Sequence, residues 1–120
     1  MAKRKARRPA TRRKARRSAT AKLPKKAVTL AVILRAKEGQ EPLLEAELRA
    51  LIAPTRREEG CLTYDLHRAL EIPGAFLLHE VWATREHHRL HTKTPHFLRW
   101  DARKDALLAA RDATFWQQLA

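Results

Sequence analysis

The spacing of apolar and polar residues predicts a strand and then a helix in the first half of the chain. Residues 28–36, VTLAVILRA, are apolar and β-branched, which indicates a strand buried on both faces near its middle. Residues 41–60 predict a helix with Pro42 at its first position and Gly60 at its end. Pro54 lies late in this helix and is expected to kink it or to begin a new last turn. The helix carries one apolar stripe, formed by Leu44, Leu48, Leu51, Ile52 and Thr55.

The middle of the chain predicts a β-hairpin. Residues 61–70, CLTYDLHRAL, alternate between apolar and polar side chains, as a half-buried strand does. Residues 75–82, AFLLHEVW, also alternate, and the Pro-Gly turn at 71–74 joins the two strands in antiparallel order. Phe76, Leu78, Glu80 and Trp82 then share one face of the second strand.

The last third predicts two helices and a final strand. Thr84 is expected to cap a helix over 85–92, and Thr94-Pro95 to open a helix from about 95 to 110. Residues 113–119 are interpreted as a strand, although they could also prolong the helix. The resulting βαββαβ order predicts an α+β protein of ferredoxin-like fold, with helices on one face of a sheet.

Charge divides the chain into two regions. Residues 1–26 contain thirteen Lys and Arg and no acidic residue, so the net charge of +13 belongs wholly to this arm. We expect the arm to be disordered and residues 27–120 to form one folded domain. An arm of this kind neutralises phosphates without reading bases, so non-specific nucleic-acid contact is one expectation. An anionic membrane surface, a functionless extension or a start site placed too early are the alternatives. The contacts to nucleic acid would come from Arg7, Arg8, Arg12, Arg13, Lys14, Arg16 and Arg17.

The same composition limits the compartment. Cys61 is the single cysteine, which excludes an internal disulfide and fits a reducing cytoplasm, the location we expect. No apolar run approaches the roughly 20 residues of a membrane-spanning helix, and no secretory signal is recognisable. Cys61 is expected to be buried and not nucleophilic, since no motif places a base beside it.

Five of the six histidines fall within residues 79–97, HEVWATREHHRLHTKTPHF. His87 and His91 are four residues apart and could share a helix face, with Glu80 or His96 as further metal ligands. However, there is no HExxH motif, so we expect no metal. His79, His87 and His88 are interpreted as surface residues.

Three segments together resemble the antibiotic biosynthesis monooxygenase (ABM) family of small quinol-monooxygenase-like proteins. They are RAKEGQE after the first strand, LRALIAPTRREEGCLTYDLHR, and HEVWATREHHRLHTKTPHF. The resemblance covers about three-fifths of the chain, from Val28 to about Leu98. It implies a ferredoxin-like homodimer whose two sheets pack into a barrel. It also implies oxidation of a quinol or related aromatic by O2 without a cofactor, while other relatives degrade haem or isomerise a signalling sugar.

The resemblance also implies roles for individual residues. His91 and His96 match the family's histidines at the mouth of its pocket, where an imidazole can exchange a proton near neutral pH. Glu80 would complete this catalytic group by fixing a histidine tautomer, and Tyr64, Trp82 and His67 would contact the aromatic substrate. The positions that bind haem in haem-degrading relatives fall at Val32, His91 and Asp101 here and do not match, so haem fits poorly.

Each of these residues also has a plain structural interpretation. Glu80 could form a salt bridge with Arg35, Arg56 or Arg68, and His96 could cap a helix or face water. Tyr64 and Trp82 are more often core residues than substrate contacts. The aromatic residues Trp100, Phe115 and Trp116 are expected to pack in the core or at the dimer interface.

Overall fold

The computed structural model describes residues 23–120, which form a ferredoxin-like α+β fold, as predicted. The four strands are antiparallel to their neighbours in the order β2-β3-β1-β4. The elements in chain order are β1 (Val28–Ala36), α1 (Glu41–Arg56), β2 (Cys61–Arg68), β3 (Ala75–Trp82), α2 (Arg85–His91), α3 (Pro95–Leu107) and β4 (Leu108–Trp116).

The predicted helix starts hold, at Glu41, Arg85 and Pro95, but α1 ends at Arg56 and not at Gly60. The Thr84 and Thr94 side chains accept hydrogen bonds from the backbone N–H groups of His87 and Phe97, at the starts of α2 and α3. Helix α1 continues through Pro54 and ends two residues later, at Arg56. Its buried side chains are Leu44, Leu48, Leu51 and Thr55, four of the five predicted for the stripe.

The last strand is longer than the sequence indicated. Strand β4 begins at Leu108, directly after α3, whereas we predicted a helix to about 110 and a strand from 113. The segment Leu108–Asp112 contains four residues that favour helices, Leu108, Ala109, Ala110 and Arg111. Pairing with β1, with Arg111 opposite Leu34, overrides this preference and extends the strand.

Helices cover only one face of the sheet in the single chain. On β1, Leu30, Val32 and Leu34 are buried beneath the helices, but Ile33 on the opposite face is 51% exposed. The prediction that β1 is buried on both faces is therefore wrong for the isolated chain. The alternation predicted for β2 is also shifted, because a bulge between Cys61 and Thr63 places Cys61 in the core instead of Leu62.

The proposed arm lies largely outside the described residues. Residues 1–22 lie outside the described range, and they include the seven predicted nucleic-acid contacts. The remaining arm residues, 23–26, precede β1, and the Ala27 backbone N–H donates to the Pro24 carbonyl at 3.0 Å. Of the helices in residues 23–120, none combines the length and apolar composition that crossing a membrane requires.

Candidate active site

A cavity of about 210 Å³ lies between the helix-covered face of the sheet and helices α2 and α3. Tyr64 from β2, Glu80 from β3 and His91 from the end of α2 all line it. Arg111, Ala113 and Phe115 of β4 line the same cavity. They lie opposite Leu34, Val32 and Leu30 of β1, which face the helices. The apolar part of the lining includes Leu78, Phe97, Trp100 and Phe115.

His91 is the most completely enclosed imidazole of the site, with only 1% of its surface exposed. Its ring centroid lies 4.8 Å from that of Trp82 and 5.0 Å from that of Phe97. Burial lowers the pKa of His91, and the nearby Glu58 carboxylate opposes this shift. The imidazole is therefore neutral at pH 7 and can accept a proton.

A single carboxylate oxygen joins two of the histidines. Oε2 of Glu58 lies 2.7 Å from Nδ1 of His91 and 2.6 Å from Nε2 of His96. An ionised carboxylate can only accept, so both imidazole nitrogens donate to it. The proton of the neutral His91 ring therefore lies on Nδ1, and the lone pair lies on Nε2. Nε2 has no hydrogen bond within residues 23–120.

The same three residues are also the candidate metal ligands. Their donor atoms lie within 4.8 Å of one another, so a divalent cation could be held by Glu58, His91 and His96. Metal binding would replace the two hydrogen bonds that now satisfy these atoms. The distances of 2.7 and 2.6 Å from Glu58 Oε2 are those of direct hydrogen bonds, so the three residues form a hydrogen-bonded cluster in this structure.

Glu80 is a buried carboxyl group whose only hydrogen bond within residues 23–120 comes from an indole. Its side chain is 3% exposed, and Trp82 Nε1 donates to its Oε1 at 2.9 Å. Burial raises the pKa of Glu80 to about 7, although the Trp82 bond and the positive charge of Arg111 act in the opposite direction. Within residues 23–120 Glu80 forms no salt bridge with Arg35, Arg56 or Arg68; Arg56 pairs with Asp65 and Arg68 with Glu45.

Tyr64 supplies a phenol that stays protonated. Burial, together with the charge of Glu80, raises the pKa of Tyr64 well above its usual value. Its ring lies edge-on to Trp82 at 6.5 Å and to His91 at 5.7 Å. The site therefore contains a neutral base, a carboxyl that titrates near pH 7 and a neutral hydroxyl donor.

His88 lines the cavity, so its interpretation as a surface residue is wrong. It lies 5.1 Å from the ring of Phe115 and 5.9 Å from those of Trp82 and His91. Burial lowers the pKa of His88 to about 4, and nearby positive charge is a second, smaller cause of the shift. Its position three residues before His91 puts both imidazoles on one helix face, a signal available in the sequence.

The other predicted site residues lie around the cavity at different distances. His96 contacts Glu58 but does not line the cavity, and Trp82 is wholly buried behind Glu80 and His91. His67 is exposed near the end of β2 and is not among the lining residues. Trp100 and Phe115 line the cavity as aromatic walls, whereas Trp116 is 58% exposed.

Two polar residues of the site were missed in the sequence. Glu58 belongs to the RREEG run, where nothing distinguishes it from its neighbour Glu59. Arg111 was assigned to the region between helix and strand, and only the register of β4 brings it to the cavity. Both depend on tertiary pairing that local spacing does not encode.

The fold and the cavity together define a small ferredoxin-like protein with an acid–imidazole site beneath its sheet. The profile of the antibiotic biosynthesis monooxygenase family matches residues 27–103, and the chain belongs to this family. The resemblance carried by the three sequence segments is thereby confirmed.

Individual relatives agree with this assignment. PA3566 from Pseudomonas aeruginosa superposes with a TM-score of 0.77 at 38% identity, covering 79% of this chain and 96% of that one. Rv0793 from Mycobacterium tuberculosis superposes with a TM-score of 0.74 at 29% identity, covering 78% of this chain and 96% of that one.

Sequence comparison alone gives shorter matches. Rv0793, named as a candidate monooxygenase, is 38% identical over 65 residues, which are 54% of this chain and 63% of its own length. An uncharacterised Synechocystis protein, sll1783, is 28% identical over 82 residues, 68% of this chain and 56% of its own. The matched regions thus span about three-fifths of the length of these curated relatives.

Proposed function

We propose that the protein is a cofactor-independent monooxygenase acting on a quinol or a related electron-rich aromatic compound. The observation that carries this proposal is the single cavity in which His91, Glu80 and Tyr64 meet between aromatic walls. The family membership supports the reaction class, and the neutral state of His91 supports its use as a base.

The reaction needs no outside reductant. The quinol supplies four electrons to O2, one oxygen atom enters the organic product, and the other leaves as water with the two hydrogens of the quinol. Removing a phenolic proton raises the electron-donating power of the ring, which promotes this transfer. In this proposal Nε2 of His91 takes that proton, because the other ring nitrogen donates its own proton to Glu58.

The other residues of the cavity assist in separate ways. Glu80, with its pKa of about 7, can return a proton to reduced oxygen, and the Tyr64 hydroxyl can donate a hydrogen bond to the substrate. Trp82 holds the Glu80 carboxyl by its indole N–H. His96 acts through Glu58 as a positioning residue, since it lies outside the cavity lining. The placement of His67 gives no support for a substrate contact.

The homodimer is part of this proposal. The uncovered face of the sheet presents Ile33, and two such faces packed together would bury it. Sheet-on-sheet packing of two copies would also supply the second layer that an α+β sheet otherwise lacks on that side.

Oxygen uptake with a panel of hydroquinones tests the activity. We expect turnover by the wild type and a loss of about 100-fold or more in His91→Gln, the scale of a general base. His87→Gln is the matched control, because His87 lies on the same helix but bonds to Thr84 instead of lining the cavity. No turnover by the wild type, or equal turnover by His91→Gln, would overturn the proposal.

The charge of the N-terminal arm favours a second candidate, a non-catalytic dimer that binds nucleic acid or another polyanion through residues 1–26. Two arms in one dimer would raise the avidity. This candidate predicts DNA affinity that falls steeply with salt and is lost on deleting residues 1–25, without oxygen uptake. Unchanged affinity after the deletion would exclude it.

A further inference from the structure

Arg111 brings a permanent positive charge to a cavity that is otherwise mainly apolar. It stands opposite Leu34 on the neighbouring strand, so its side chain leaves β4 on the helix-covered side of the sheet. It is the one lysine or arginine among the lining residues of the described chain, and it is exposed to solvent.

The guanidinium of Arg111 is not held by a hydrogen bond or a salt bridge within residues 23–120. By contrast, Arg56, Arg68 and Arg103 are each paired with a carboxylate. Arg85, whose charge also acts on His88, is stacked over Phe115 at 3.9 Å. Arg111 is therefore free to bind a group that enters from outside.

The charge of Arg111 acts inside the cavity and not only at its rim. It disfavours protonation of His88 and favours ionisation of Glu80, two side chains contributed by different elements. The imidazoles of His88 and His91 are neutral at pH 7, since the pKa of each is lowered by burial. Arg111 is thus the permanent charge that an anionic ligand would meet there, and Glu80, with its pKa of about 7, is mainly uncharged below that pH.

The size of the cavity restricts the ligand further. Pockets for drug-sized molecules usually have volumes of about 300–1,000 Å³. The volume of about 210 Å³ suits one aromatic ring with small substituents. The aromatic walls formed by Phe97, Trp100 and Phe115 match such a ring in shape and polarity.

We propose that the cavity binds a monocyclic aromatic carboxylate, a dihydroxybenzoate in type, whose carboxylate pairs with Arg111 while its hydroxyl groups reach His91 and Tyr64. A guanidinium binds a carboxylate through two parallel N–H···O bonds, which would also orient the ring. This inference rests on the proposed function for the identity of the ring hydroxyls, but the anion site can be tested by binding alone.

The test compares two ligands that differ in one carboxylate, 2,5-dihydroxybenzoate and 1,4-dihydroxybenzene. Their binding to the full chain is measured without oxygen by titration calorimetry at low salt and pH 6.5, below the pKa of Glu80. We expect the acid to bind about tenfold or more tightly, as a charge-assisted pair would give. Arg111→Gln should remove this preference, and Arg111→Lys should keep part of it.

The control is Arg103→Gln, which deletes an equal charge on α3 outside the cavity lining and should keep the preference. Equal affinity for the two ligands, binding of neither, or a preference that survives Arg111→Gln would overturn the inference. Acid-selective binding lost in Arg111→Gln, together with no oxygen uptake in air, would establish the anion site and reject only the proposed oxygenase activity.

Discussion

The carboxylate of Glu58 lies 2.7 Å from Nδ1 of His91, although the two residues are 33 positions apart in the chain. Glu58 follows α1 and His91 ends α2, so this contact ties two helical segments together while it fixes the imidazole tautomer. A charged acceptor bonds roughly twice as strongly as a neutral one. Glu58 therefore both stabilises the packing of the two helical segments and fixes the tautomer of His91.

Replacing Glu58 by Gln is expected to weaken both effects. The neutral amide cannot accept two charge-assisted bonds, so the free energy of unfolding should fall by about 1–3 kcal/mol. Turnover, where the proposed activity holds, should fall on the order of 10²-fold or more, because the His91 tautomer is no longer fixed. Urea denaturation, nitrogen NMR of the imidazole and oxygen uptake measure the three quantities.

Glu45→Gln is the control for this change, since Glu45 pairs with Arg49 and Arg68 on the surface. It should leave the His91 resonances and the rate unaltered. If Glu58→Gln leaves the Nδ1–H tautomer and the rate unchanged, then Glu58 does not position His91.

The fold was predictable to the extent that local patterns decide it. The α1 stripe, the hairpin and the caps at Thr84 and Thr94 are short-range features, and all are found in the structure. The start of β4 is different, because pairing with β1 selects a strand against the preference of Ala109-Ala110-Arg111.

Sequence motifs predicted some residues of the candidate site. Residues that reach the site only through tertiary packing were not predicted. His91, Glu80 and Tyr64 come together as expected. The approach of Glu58 depends on the packing of two segments, and that of Arg111 on strand register. His67 falls outside the cavity because it is exposed near the end of β2.

The buried carboxyl of Glu80 should make the stability of the protein depend on pH. Burial raises the pKa of Glu80 from 4.5 to about 7, so the folded state holds a proton that the unfolded chain releases earlier. Folding stability is therefore lost as pH rises from about 4.5 to 7. At about 1.4 kcal/mol per unit of pKa, the loss reaches up to about 3 kcal/mol.

Glu80→Gln removes this ionisation while keeping an oxygen that can accept from Trp82. The variant should gain stability over the wild type progressively above pH 5, which urea denaturation between pH 4.5 and 8 would reveal. Glu86→Gln is a control with the opposite sign, since the Arg89 hydrogen bonds lower the pKa of Glu86. A stability difference between Glu80→Gln and wild type that stays constant with pH would contradict the buried ionisation.

Two glycines with similar backbone angles should respond differently to alanine. Gly39 and Gly60 have φ values of +85° and +82°, so each substitution carries the backbone cost of about 1–2 kcal/mol. A Cβ at Gly39 meets no atom within 4 Å, whereas at Gly60 it would lie 2.2 Å from Cγ of His87. Because Cγ is fixed close to the backbone of α2, the helix itself must move.

Gly60→Ala should therefore lower the free energy of unfolding by at least about 1 kcal/mol more than Gly39→Ala, the size of an overpacking penalty. Chemical denaturation of the two variants side by side gives the comparison. Equal losses would mean that α2 does not pack against Gly60 as described.

Ile33 offers a test of the proposed sheet-to-sheet dimer. It is 51% exposed on the uncovered face of β1, so a charged side chain there can reach water in a single chain. In a dimer that buries this face, an unpaired carboxylate would be strongly unfavourable. Ile33→Glu should therefore give folded monomers at concentrations where the wild type is dimeric, as measured by sedimentation velocity and circular dichroism.

Leu43→Glu is the matched control for Ile33→Glu, because Leu43 is 57% exposed on α1, on the other side of the sheet. This variant should remain dimeric, since the proposed interface does not include α1. A wild type that sediments as a monomer, or an Ile33→Glu protein that stays dimeric, would show that the uncovered face of the sheet is not the surface through which two copies associate.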